Sequence, residues 1–130
     1  MNDKIIISEE DFDIIAPKLQ VMIFSDIENE NLKKFADILE EAKQVPCSKL
    51  PAESITLESE IELIDINSKQ IMSKKLVVPP ASYDLQELSV FTPVGMAVFG
   101  KKVGDIVSCK VPAGIKSLKI KSKTNSQVKA

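Results

Sequence analysis

Residues 88–114 read LSVFTPVGMAVFGKKVGDIVSCKVPAG, and each break in that stretch has a local physical cause. Leu88 to Phe91 is β-prone. Thr92 offers a side-chain oxygen as an N-cap, and Pro93 stands at the first helical position, where its missing N–H has no partner to lose. A short helix is therefore expected over 93–99, closed by Gly100. Gly104-Asp105 turns the chain into a strand from Ile106 to Val111. Pro112-Ala113-Gly114 turns it again, into a strand from Ile115 to Ile120.

Working outward toward the N-terminus, Ile55, Leu57, Ser59, Ile61 and Leu63 alternate with Thr56, Glu58, Glu60 and Glu62. That is a strand with one wet face. Residues 65–69 form a turn, and Ile71 to Val78 returns as a second strand stopped by Pro79-Pro80. Residues 51–121 thus predict an α+β unit, a five-stranded antiparallel sheet with one short helix packed on it. The last ten residues are rich in Lys and Ser and are expected to fray.

Before Pro46 the period changes from 2 to 3.6. Ile5 to Ile7 is a short β-prone run. Ser8 is an N-cap candidate, followed by Glu9, Glu10 and Asp11 in a first turn that favours negative charge. Phe12, Ile15, Ala16, Leu19, Met22 and Ile23 recur at helical spacing. Pro17 should kink this helix, or end it near Ala16 and start a new one. Residues 25–31 (SDIENEN) read as a turn. A second helix is expected from about 31 to 44, with Leu32, Phe35, Ala36, Leu39 and Ala42 on one face. The domain reading is a helical hairpin arm over 1–50 and a sheet domain over 51–130.

Composition closes much of the enzyme menu. The 130 residues include no His and no Trp, which removes Ser-His-Asp triads, Cys-His pairs and the usual zinc sites. Cys47 and Cys109 read as small buried or half-buried thiols, because the chain starts without a secretory pattern. No apolar run approaches the ~20 residues that span a bilayer. The expectation is a cytoplasmic protein with no membrane contact. Residues 1–66 carry 16 Asp/Glu against 6 Lys, and residues 67–130 carry 3 against 11. Either the two ends are oriented by a partner's field, or they fold together and neutralise each other.

The stretch 88–114 also resembles the C-terminal signature of the Gre transcript-cleavage factors and of Rnk, the regulator of nucleoside diphosphate kinase. The matching positions are Ser89, Thr92, Pro93, Val94, Gly95, Ala97, Val98, Phe99, Gly100, Gly104, Asp105, Val107, Pro112 and Gly114. The short arm and the runs IIISEEDFDII and EEAKQVPCSKLPAESITLES are more similar to Rnk than to the long coiled coil of Gre factors. A helix from Glu9 to Phe24 would reach only ~24 Å.

The resemblance implies an FKBP-like sheet domain that docks at the secondary-channel entrance of RNA polymerase. It implies a regulator that is not an enzyme and needs no metal or cofactor. The family's contact loop falls on Ser89, Thr92, Pro93 and Val94, residues that also read simply as a helix start. The alternative is a shortened Gre factor that stimulates transcript cleavage through Asp26, Glu28 and Glu30. Those three equally fit an ordinary solvated helix connection.

A prolyl isomerase pocket would need several aromatics, and this region offers Tyr83, Phe91 and Phe99. Lys116, Lys119, Lys121, Lys123 and Lys129 lack interleaved aromatics, and the sequence pI is about 5.2, so direct sequence-specific nucleic-acid binding is not expected.

Overall fold

Ser8 starts the first helix as its position predicts. Its backbone is extended, and its hydroxyl accepts a hydrogen bond from the Asp11 amide at 3.0 Å, capping α1 (Glu9–Ser25). The computed structural model describes residues 5–78, 86–111 and 114–125. The Pro79-Pro80 stop, Tyr83, the Pro112-Ala113 turn and Lys129 lie outside the described residues.

α1 continues through Pro17 instead of ending at Ala16. The amide that Pro17 lacks would have bonded the Asp13 carbonyl. Both residues are exposed, so water can satisfy that carbonyl. α2 (Glu30–Glu41) is capped by Asn29, whose Oδ1 accepts from the amides of Asn31 and Leu32 at 3.1 and 3.2 Å. It stops short of the expected residue 44. Lys43–Val45 instead forms β2, paired in parallel with β1 (Ile6–Ser8). The Ile5 carbonyl accepts the Lys43 amide at 2.9 Å, a partner that helical periodicity cannot reveal. Ile15, Leu19, Leu32, Phe35 and Leu39 are buried, which matches the predicted stripes. A single 3-10 turn follows at Cys47–Lys49.

The chain divides into two compact units, Met1–Ser54 and Ile55–Ala130. The second holds β3 (Ser59–Asp65), β4 (Ile71–Val77), β5 (Glu87–Ser89), α3 (Pro93–Val98), β6 (Ile106–Val111) and β7 (Gly114–Asn125). Its sheet order is β5-β4-β3-β7-β6. The α+β reading holds, and every pairing in this sheet is antiparallel except β4–β5. That pair was expected to be antiparallel. The chain between them is far longer than a two-residue hairpin, which leaves β5 free to align in parallel.

Two boundaries also differ. Ile55 and Leu57 are buried as their alternation predicts, but β3 begins only at Ser59, because Glu58 turns the backbone to φ 68°. At the other end, the Lys- and Ser-rich stretch is not frayed through 121–125. It pairs with Ser59–Glu62 across a bulge near Glu62 and Leu63. Composition signals solvation there, while β3 offers an open edge that completes a ladder.

The core of this unit is Ile61, Leu63, Leu76, Val90, Val98, Phe99, Leu118 and Ile120. Both cysteines are free. Cys109 is buried and its thiol is pushed up by desolvation, whereas Cys47 is exposed, contrary to expectation. Among the described residues no helix is long and apolar enough to cross a membrane.

Candidate functional site

The loop from Ser89 to Gly95 is built on one hydroxyl. Thr92 Oγ1 donates to the Ser89 carbonyl at 2.7 Å and accepts from the Gly95 amide at 3.1 Å. The Thr92 amide donates to the same Ser89 carbonyl at 3.1 Å. Ser89 Oγ in turn accepts from the Phe91 amide at 3.1 Å. The end of β5 and the start of α3 are therefore tied through Ser89 and Thr92, with Val90 and Phe91 sunk into the core between them. The predicted cap at Thr92, the first helical position of Pro93 and the left-handed Gly100 (φ 80°) are all present.

Gly95 makes this arrangement possible. A Cβ placed there would collide with the Ser89 carbonyl oxygen and lie 2.9 Å from Ser89 C and Val90 Cα. α3 thus rests with its backbone directly against the end of β5. On this base Pro93 is exposed, while Ser89, Thr92 and Val94 are half-buried. No side chain from Ser89 to Gly95 titrates near neutral pH. The arrangement suits a stiff apolar contact and offers no acid, base or nucleophile pair.

The acidic loop has a different character. The Asp26 amide closes α1 by donating to the carbonyls of Met22 and Ile23 at 3.0 and 3.1 Å, and Asp26 Oδ2 accepts from Asn29 Nδ2 at 3.5 Å. Asp26, Glu28 and Glu30 are exposed. Among the described residues, no group of three acidic or Cys side chains stands close enough to hold a metal ion. Three large apolar side chains of this region, Val21, Phe24 and Ile27, are also exposed. The stripe reading passed over them. Their signal was a second helical series, Ile14, Val21 and Phe24 at i, i+7 and i+10.

Part of the charge asymmetry is neutralised inside the sheet unit. Lys75 pairs with Glu58 at 3.2 Å, Lys116 with Asp65 at 3.6 Å and Lys121 with Glu62 at 3.8 Å. Asp65 also accepts from the amides of Asn67 and Ser68 at 2.9 and 3.1 Å. These donors, Ser68 foremost, hold its carboxyl below the ordinary value of 3.8 against the desolvation that raises it. Phe91 and Phe99 are core residues, so neither opens toward a ligand pocket.

Comparison with known proteins agrees with this architecture. Residues 50–124 match the family described as "Transcription elongation factor, GreA/GreB, C-term", and the chain belongs to that family. The transcription elongation factor GreA of Rhodospirillum rubrum is 29% identical over 86 residues, 65% of this chain and 55% of that protein. The regulator of nucleoside diphosphate kinase of Escherichia coli is 28% identical over 78 residues, 59% of this chain and 57% of that one. The chain thus spans a little over half the length of these curated relatives. Among solved structures, a prokaryotic transcription elongation factor GreA/GreB from Nitrosomonas europaea superposes with a TM-score of 0.77 at 22% identity. The match covers 95% of this chain and 99% of that one, and it establishes the shared fold.

Proposed function

We propose that this member of the GreA/GreB family is a cytoplasmic regulator that binds RNA polymerase through Ser89, Thr92, Pro93 and Val94 and has no cleavage chemistry of its own. The observation that carries the reading is the cradle in which Gly95 lets α3 sit on the Ser89 carbonyl. It holds an exposed proline ring on a base whose ordering is complete before any partner arrives, so docking costs little entropy. The family relationship supplies the kind of partner.

Two features favour a regulator over a cleavage-stimulating factor. α1 has 17 residues and so reaches about 25 Å. The carboxylates beside its tip do not converge on one point, and large apolar side chains stand exposed among them.

The test is binding to core bacterial RNA polymerase, measured with the intact chain and with Pro93→Asp. A carboxylate forced into a desolvated apolar contact costs about 2 kcal/mol, roughly thirtyfold in affinity. Melting should stay within about half a kcal/mol of the parent, since Pro93 is exposed. Unchanged binding would move the docking surface elsewhere. Accelerated RNA cleavage in backtracked complexes, abolished by Asp26→Ala with Glu28→Ala, would establish the alternative.

A further inference from the structure

Two faces of this chain are apolar, open to solvent and opposite in charge. The first is the outer stripe of α1, where Val21 is 66% and Phe24 86% exposed and Ile14 is also exposed. Ile27 continues it beyond the helix, and Glu10, Asp13, Asp26 and Glu28 border it. Lys18 lies within the stripe, where its apolar stem can stay against a partner while the ammonium reaches water.

The second is the face of the five-stranded sheet turned away from the core. Strand register places Ile106 opposite Lys119, Lys119 opposite Ile64, and Ile64 opposite Ile71, one row across four strands. Ile115 lies opposite Lys110 on the same face. Ile106 and Ile115 are 61% and 70% exposed. Lys110 and Lys119 are exposed and form no ion pair with a described residue.

We propose that two copies of this chain associate reciprocally, each laying the outer stripe of α1 on the open sheet face of the other. The extents agree. Ile14 to Phe24 covers ~15 Å of helix, and the row from Ile106 to Ile71 crosses three strand gaps, ~14 Å. The charges agree along that row as well, with carboxylates bordering the helical stripe and Lys110 and Lys119 set among the isoleucines. Glu62, farther along β3 on the same face, is paired with Lys121 and Ser122, and Glu60 stands beyond it. One chain carries both halves of the contact, so a pair of copies needs no third component to supply either half. A foreign partner seated on one face would leave the other bare. The Ser89–Val94 loop takes no part, so this inference does not rest on the polymerase reading.

Sedimentation or light scattering from low micromolar to near-millimolar concentration tests it on the full chain. The mass should climb from 14.3 kDa toward twice that value. Phe24→Asp and Ile106→Lys, both at exposed positions, should each keep their circular dichroism. Each should weaken association by about tenfold or more, as loss of an interface anchor does. An equimolar mixture of the two variants keeps one intact contact, Phe24 of one chain on the sheet of the other, and should associate more tightly than either variant alone. A 14.3 kDa mass at every concentration would overturn the proposal. So would a dimer indifferent to both substitutions, a mixture with no recovery, or sensitivity to Phe24→Asp alone, which would mean arm-to-arm pairing.

Discussion

Replacing Gly95 with alanine should destabilise the sheet unit, although the same change in an open helix stabilises by about 1 kcal/mol. The new Cβ collides with the Ser89 carbonyl oxygen and meets Ser89 C and Val90 Cα at 2.9 Å, all backbone atoms that no rotamer change can clear. The carbonyl must retreat by about an ångström to restore ordinary contact. It is also the acceptor for the Thr92 hydroxyl at 2.7 Å and the Thr92 amide at 3.1 Å. Stretching two hydrogen bonds forfeits about 0.5–1.5 kcal/mol each, and overpacking adds about 1–3 kcal/mol. After the gain in helix propensity, a net loss of about 1–5 kcal/mol remains, and each kcal/mol lowers the melting temperature by about 4–8 °C for a unit of this size. Urea titration should show a lower midpoint with an unchanged slope. Ala97→Gly, in the same helix but outside the cradle, is the control and should lose about 1 kcal/mol through propensity alone. A Gly95→Ala protein as stable as the parent would refute the reasoning, because α3 could then lift from β5 without cost.

Two further outcomes follow from the sheet. The carboxyl of Asp65 is held below 3.8 by the Ser68 and Asn67 amides and by Lys116. Its contribution is therefore complete above that value and fades as pH falls through the depressed folded pKa. Asp65→Asn should flatten the acid side of the melting profile, and coincident profiles for the two proteins would contradict the assignment. Removing residues 121–130 should lower the sheet unit's melting by the equivalent of about 1 kcal/mol or more, since the pairing of 121–125 with Ser59–Glu62 is lost. An unchanged transition would show that this end behaves as its composition suggests.

Residues whose role depends on near neighbours in the chain were legible from sequence. The Ser8 cap, the Thr92-Pro93 helix start, the left-handed Gly100 and the buried stripe of Leu32, Phe35 and Leu39 each follow from contacts within a turn or two. The family signature drew on the same local chemistry, because its glycines and prolines mark turns. The turn and helix start from Ser89 to Gly95 were therefore legible on the chain, while the reason for Gly95 was not visible. Its cradle is a collision with a strand end that only folding brings near.

Tertiary structure decided the rest wherever a distant partner outweighed local preference. Lys43–Val45 left the helix for β1, Glu58 took a positive φ that delays β3, and 121–125 became strand because β3 had an edge to fill. It also decided which apolar residues stay outside. The helical stripe named Ile15 and passed over the second series of Ile14, Val21 and Phe24, and only the packing of α1 against its neighbours leaves that series in water while it buries Ile15. Period and capping are short-range properties that a sequence carries intact. Pairing register and the choice of buried face are settled by contacts between segments far apart in the chain.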